Sequence, residues 1–403
     1  MTKEEVINKY KQYIMDTYTR YDLCLVKGQG INVQDISGKT YMDFISGISV
    51  VNLGYNNSKW LSAMQKQLTE ITHSSNLFYI QPQVELAEIL IKNSIKGKCF
   101  FCNSGAEANE AAIKIARKFA YEKGKKQSEI ITLEQSFHGR TIATVTATGQ
   151  KKYQEGFAPL LSGFVYTPLN NLEALKNKIN DNTCAIMIEL VQAEGGIKVA
   201  DKNFVKNIAS LCKKNNILLI IDEVQTGIGR CGDLFAYKLY DIEPDIFTLA
   251  KALGNGIPIG AMIARKEIAE VFKPGTHAST FGGNHLACTS ALAVIDTILS
   301  EKLIKNAKQM GKYLSGRLND LKEKYSFIKD IRGLGLLVGM EMSHPAHNII
   351  EKCRDKGVIL NCIQNTVIRF APPLIVTKHD IDFMIKILNE VLIEEVLGGK
   401  NGT

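Results

Sequence analysis

The sequence predicts an α/β fold: a large domain with a mostly parallel sheet flanked by helices, and a smaller α+β domain built from both chain ends. Three observations predict it. From Lys98 to about Asn284, short apolar runs alternate with helical stretches, the pattern of βαβ units. The run Ile217 to Ile221 is continuously apolar, as a strand buried on both faces must be. Outside that region the pattern changes to a hairpin near the N-terminus and, near the C-terminus, long helices with a glycine-rich strand. A chain of 403 residues exceeds one simple core, so two domains are expected. The expected bounds are 1–60 and 285–403 for the small domain and 61–284 for the large one.

Taken in order, residues 1 to about 25 read as helical and then extended, suited to crossing a partner's surface. GQGINVQDISGKTYMDF has the alternation of a β-hairpin, with Ser37-Gly38 at the bend. A helical pattern starts at Trp60, breaks at the polar-aromatic loop HSSNLFYIQPQ, and resumes from Val84 to Ile91. The strand candidates of the large domain are 99–102, 129–133, 184–190, 217–222, 245–249 and 260–264. A further strand, IRGLGLLVGMEM, follows the long helical stretch after Asn284. The last helix opens on Thr377 and Asp380 at capping-box spacing, and the tail GGKNGT is expected to fray.

Composition narrows the function. With 45% hydrophobic and 22% charged residues the chain is an ordinary globular protein. Its net charge of +8 favours anionic ligands, but no dense basic run suggests nucleic acid. The start MTKEEVINKY lacks the apolar core of a signal peptide, and no apolar run reaches the ~20 residues of a membrane helix. Nine scattered cysteines point to reduced thiols and a cytoplasmic setting. Cys99-Phe-Phe-Cys102 has no second pair to complete a zinc site and reads as part of a buried strand, so no metal is expected.

The chemistry concentrates between Ile217 and Gly256. Asp222 ends one apolar run and Lys251 ends another, Ile246 to Ala250, just before the glycine-rich ALGNGIPIG. Open α/β sheets place ligands at the carboxyl ends of their strands. A lysine there can form an imine with a carbonyl, and an acid can hold a protonated ring nitrogen, two requirements of pyridoxal phosphate. FFCNSGAEANEAAIKIARK adds a strand, a turn and a helix. Ser104 and Glu107 fit a capping box, and Ala108, Ala111, Ala112, Ile115, Ala116 and Phe119 form an apolar stripe. The exposed N–H groups at such a helix start bind phosphate.

DEVQTGIGR followed by DIFTLAKALGNGIPIGAM resembles the subgroup III (ornithine-type) aminotransferases. The match runs over nearly the whole chain and is densest from Gly97 to Leu292. It implies a fold-type I pyridoxal-phosphate enzyme. Lys251 then carries the cofactor and serves as the base, and Asp222 sustains the ring's positive charge. Ser104, Gly105 and Ala106 match positions that hold the phosphate. Phe137 in SFHGRT matches the aromatic stacked on the ring, and Gln225 matches a residue near the ring oxygen. Thr280 matches a residue that reaches the neighbouring subunit's phosphate, which implies a homodimer with shared sites.

The same resemblance implies a terminal amine as donor, N-acetylornithine first, and 2-oxoglutarate as acceptor, within arginine synthesis. Arg140 and Arg369 are the arginines suited to its two carboxylates. Glu194 matches a gate glutamate that neutralises Arg369 while the donor reacts, Glu189 a supporting acid, and Tyr18 a residue that places the donor. Rival donors are ornithine, succinylornithine, N-succinyl-diaminopimelate and 4-aminobutyrate. The chain departs from the family pattern at Tyr55 to Ser58, at Leu190 and Ala193, and at His285. One reading from another class, a nicotinamide dehydrogenase, hangs on RGLGLLVG, whose glycines miss the G-x-G-x-x-G spacing by one.

Overall fold

The structure, a computed structural model, describes residues 1–125 and 127–399. Residues 400–403, most of the tail expected to fray, lie outside the described residues. Seven strands form the central sheet: β1 (Gly97–Cys102), β2 (Glu129–Leu133), β3 (Phe164–Thr167), β4 (Thr183–Glu189), β5 (Leu218–Asp222), β6 (Ile246–Leu249) and β7 (Gly260–Arg265). Their order is β1-β7-β6-β5-β4-β2-β3. The pairs among β2 to β6 are parallel, and β7 alone runs antiparallel to its neighbours β6 and β1.

β4 and β5 are buried along their whole length. That is the physical reason residues 184–188 and 218–221 are continuously apolar. β3 is the one strand of the sheet without a sequence candidate. It has four residues, lies at the sheet edge and is only half-buried, so it carries no long apolar run. The strand expected over 184–190 runs from Thr183 to Glu189, one residue earlier. Leu190 instead leads into a small hairpin, Val191–Gln192 with Lys198–Val199, whose turn carries Glu194.

A second, antiparallel sheet comprises β8 (Ile328–Leu334), β9 (Leu337–Met342), β10 (Asn361–Ile363) and β11 (Val367–Phe370), in the order β8-β9-β11-β10. RGLGLLVG is the β8–β9 hairpin. It has no helix after its first strand and no parallel partner, so the dinucleotide reading is corrected: nothing there can cradle a pyrophosphate. A third sheet pairs Leu25–Gln29, Asn32–Asp35 and Thr40–Asp43, and adds Val358–Ile359 from the other chain end, parallel to Thr40–Asp43. The expected bend at Ser37-Gly38 joins the last two N-terminal strands. The helix His285–Ser300 packs against Ser58–Leu68 and Gln81–Lys92.

The helix Gly105–Glu122 lies on β6 and β7, with Ala108, Ala111, Ala112, Ile115 and Ala116 of the expected stripe fully buried and Phe119 half-buried. Cys99 and Cys102 lie within β1, and all nine cysteines are free thiols. No described helix is long and apolar enough to cross a membrane.

Candidate active site

The carboxyl ends of β4, β5 and β6 open into a cavity of about 590 Å³. Its wall includes Ser104, Gly105, Ala106, Phe137, Arg140, Asp222, Gln225 and Lys251, and Tyr18 reaches its mouth. These eight candidate residues, from four separate stretches of sequence, therefore share one wall. A larger cavity of about 1150 Å³ lies at the opposite, amino ends of β5 and β6. Asp241 pairs there with Lys206, and Glu243 and Asp245 with Arg265, and no candidate residue reaches it.

Asp222 closes β5 and is 4% exposed. Its Oδ2 accepts from Asn109 Nδ2 at 2.8 Å and from His138 Nδ1 at 2.8 Å. Its Oδ1 accepts the Val224 N–H at 3.0 Å. Three donors fix the carboxylate's orientation, and Oδ1 retains a lone pair for a cationic N–H in the cavity. Asn109 and His138 were not among the sequence candidates. The signal for Asn109 is a polar residue inside the apolar stripe of its helix. For His138 there is only its place between Phe137 and Gly139. Thr248 Oγ1, in turn, donates to Asn109 Oδ1 at 2.7 Å and fixes that amide's orientation.

Glu189 stands directly beside Asp222 across the β4–β5 pairing. Burial, and then the Asp222 charge, hold its carboxyl well above the usual range. Two adjacent acids thus have separate roles: Asp222 has three donors, whereas Glu189 has the Phe137 N–H at 2.9 Å.

Lys251 follows β6 in a 3₁₀ turn with φ of 46°, a left-handed conformation that few lysines adopt. Its side chain faces the cavity and forms no ion pair among the described residues. Burial lowers the pKa of its amine, against the opposing pull of Glu194, Asp222 and Glu189. A lysine with a lowered pKa is a ready nucleophile and base.

Ser104 caps the helix Gly105–Glu122, accepting the Glu107 N–H at 3.1 Å. The reciprocal half of the expected capping box is shifted, because Glu107 accepts from the Asn103 N–H and not from Ser104. The first-turn N–H groups of Gly105 and Ala106 remain directed at the cavity end. A Cβ on Gly105 would lie 2.7 Å from Val224 Cγ1, so only glycine lets this helix start approach the loop after Asp222. Phe137 is half-buried and meets Tyr153 edge-on at 5.7 Å. Arg140 is exposed at the rim and stacks over Tyr153 at 4.0 Å.

Arg369, in β11, and Glu194 are set behind Gln225 and not in the cavity wall. Arg369 is 1% exposed, and its Nη1 contacts Glu194 Oε1 at 2.5 Å and Gln225 Oε1 at 3.4 Å. Burial would raise the Glu194 carboxyl, but the charges of Arg369 and Lys251 outweigh it and hold it below the usual range. Thr280 is exposed and lines a different cavity, with Ser75, Asn76 and Leu77.

A sheet of this order, with a cavity-facing lysine, a triply hydrogen-bonded acid and a helix start at one mouth, defines an enzyme of the aminotransferase class. The family model for class-III aminotransferases matches residues 13–392, and the chain belongs to that family. The acetylornithine aminotransferase of Methanocaldococcus jannaschii is 50% identical over 397 residues, 98% of this chain and 99% of that protein. That of Caldanaerobacter subterraneus is 49% identical over 391 residues, 96% and 99% respectively. Among solved structures, the ornithine aminotransferase of Toxoplasma gondii superposes with a TM-score of 0.94 at 32% identity, covering 98% of this chain and 96% of that one. The acetylornithine aminotransferase of Elizabethkingia anophelis gives 0.88 at 33%, covering 98% and 100%.

Enzymes of this family use pyridoxal phosphate, and the residues present fit it. The glycine-backed helix start suits its phosphate, Asp222 its ring nitrogen, and Lys251 its carbonyl. The chain is a pyridoxal-phosphate-dependent transaminase.

Proposed function

We propose that this enzyme moves the terminal amino group of N-acetylornithine to 2-oxoglutarate, giving N-acetylglutamate semialdehyde and glutamate, in cytoplasmic arginine synthesis. The observation that carries the reading is the Glu194–Arg369 pair. A donor reacting at its terminal amine has no carboxylate beside the reacting carbon, so a free guanidinium there would be desolvated and unpaired. With Glu194 on Arg369 the site suits such a donor, and with Glu194 withdrawn it suits the α-carboxylate of 2-oxoglutarate or glutamate. The similarity to acetylornithine aminotransferases at 43–50% identity supports the choice of donor within the family.

In this reading the helix start at Ser104, Gly105 and Ala106 binds phosphate, and Thr280 completes a phosphate site in the partner subunit. Phe137 covers one face of the ring, Gln225 sits beside the ring oxygen, and Asn109 and His138 aim Asp222 at the ring nitrogen. Bound pyridoxal phosphate supplies the electron-withdrawing ring that accepts the electron pair of the broken C–H bond. Lys251 Nζ takes the proton from the substrate carbon and returns it to the cofactor side. Arg140 holds the second carboxylate of 2-oxoglutarate at the rim, and Tyr18 lies along the donor.

The active unit is a homodimer. Leu77, Phe78 and Tyr79 are 89%, 67% and 107% exposed, and Phe281, beside Thr280, is 59% exposed. An apolar patch of that kind calls for a covering surface. We further propose the domain division 1–60 with 285–403 against 61–284.

A donor panel at fixed 2-oxoglutarate tests the function. N-Acetylornithine is expected to give the highest kcat/KM. Faster turnover of ornithine, succinylornithine, N-succinyl-diaminopimelate or 4-aminobutyrate would reassign the donor.

A further inference from the structure

The turn that carries Glu194 rests on a single row of residues across the second sheet. Arg332 in β8 stands opposite Gly339 in β9, Gly339 opposite Arg369 in β11, and Arg369 opposite Asn361 in β10. Two arginines therefore flank a glycine. Each arginine holds a different part of the turn. Arg369 meets the Glu194 carboxylate at 2.5 Å. Arg332 donates through Nε at 3.0 Å and Nη2 at 2.6 Å to one oxygen, the Gly196 carbonyl. The remaining nitrogen of Arg332, Nη1, is gripped by Asp330 and Glu341, which fix its guanidinium plane.

Between the arginines lies Ile197. It is fully buried and left-handed, with φ of 54°, a conformation a β-branched residue keeps only when its surroundings impose it. A Cβ on Gly339 would stand 2.9 Å from Ile197 Cβ, so the glycine is what lets the turn seat on the sheet. On the other side, Gln364 Nε2 donates to the Glu194 carbonyl at 2.7 Å. The backbone is thus held at Glu194 and again at Gly196, independently of the pairing between the Glu194 side chain and Arg369.

We propose that Arg332 and Gly339 form a fixed seat for this turn, and that Arg332 is a positioning residue for the choice between amino donor and amino acceptor. The proposal rests on the gate role of Glu194 and names what sets it. With the backbone fixed, Arg369 is masked and exposed by side-chain torsions alone, and no loop has to move between half-reactions. Loosening the seat lets the Glu194 Cα drift, weakens its contact with Arg369 and leaves that arginine exposed more of the time.

Two variants test it by different physics. Arg332→Lys keeps the charge but gives up the two-point grip on Gly196. Gly339→Ala displaces Ile197 with no change in charge, and decides the matter if the first variant does not fold. In the holoenzyme, the N-acetylornithine and glutamate half-reactions are measured separately by single turnover. The Kd of glutarate, an unreactive dicarboxylate, is measured by calorimetry. Both variants are expected to slow the acetylornithine half-reaction relative to the glutamate one by about tenfold, and to tighten glutarate by a similar factor. Glu194→Gln is expected to shift both in the same sense, and adding Arg332→Lys to it to move the ratio no further. If the two seat variants only lower thermal stability or slow both half-reactions equally, while Glu194→Gln still shifts the ratio, the seat is overturned and the gate stands. If Glu194→Gln itself changes both half-reactions by one factor, the gate fails and the seat proposal fails with it.

Discussion

Arg369 Nη1 and Glu194 Oε1 meet at 2.5 Å across 175 residues of sequence, in a place where the arginine is 1% exposed. A cation so buried is stable only with its partner in place. In the proposed function the pair opens so that a substrate carboxylate reaches the same guanidinium.

The first prediction follows from that exchange. Glu194→Gln removes the competing charge, which helps substrates with an α-carboxylate and hinders a terminal-amine donor. A lost charge-assisted contact of about 1.5–3 kcal/mol corresponds to a shift of roughly 10- to 150-fold in the ratio of the two half-reactions. Single-turnover spectroscopy of each half-reaction measures it. Equal changes in both would leave Glu194 a purely structural residue.

Asp222→Asn is expected to lower kcat by at least ~100-fold, because a neutral amide cannot sustain the ring's positive charge. The cofactor should still bind through the helix start at Gly105. Near-normal turnover would place the acid at the ring nitrogen elsewhere.

Lys251→Ala is expected to abolish turnover while the fold survives. Borohydride reduction of wild-type holoenzyme should attach the cofactor to Lys251, and attachment to another lysine would remove the assignment.

The lowered pKa of Lys251 also predicts a pH dependence of the cofactor-free protein. In the folded state this amine binds its proton less readily than the ordinary value of 10.5 implies. The unfolded chain therefore holds more protons between the two values, and stability rises with pH across that window. The penalty is fully present below the folded pKa and is relieved as pH approaches 10.5. Melting curves of wild type and Lys251→Met from neutral pH upward should converge, with wild type the less stable at the lower end. Parallel curves would show that the amine carries no such penalty.

A shared-site dimer predicts complementation. Lys251→Ala and a Thr280 variant, each inactive, should regain part of the activity when their subunits are mixed. A fully active monomer at assay concentration would contradict it.

The cofactor side of the site was largely legible in the sequence. Asp222 ends a continuous apolar run, Lys251 ends a run that is apolar except for Thr248, and Ser104 precedes an apolar helical stripe. Such signals are local: burial on both strand faces, helix period and capping act over a few residues, so a linear chain displays them. Together with the family resemblance they identified the fold and the residues that gather at one cavity, Lys251 and the helix start at Ser104 among them. Only the tertiary structure decided the rest. Asn109 and His138 reach Asp222 because the helix Gly105–Glu122 and the turn after β2 converge on the end of β5, from 113 and 84 residues away. Arg369 meets Glu194, and Arg332 grips Gly196, because β8, β9 and β11 pair in one particular register. A shift of one residue would turn both arginines to the opposite face of the sheet. Contacts of that kind depend on how distant segments align, and no local pattern along the chain encodes that alignment.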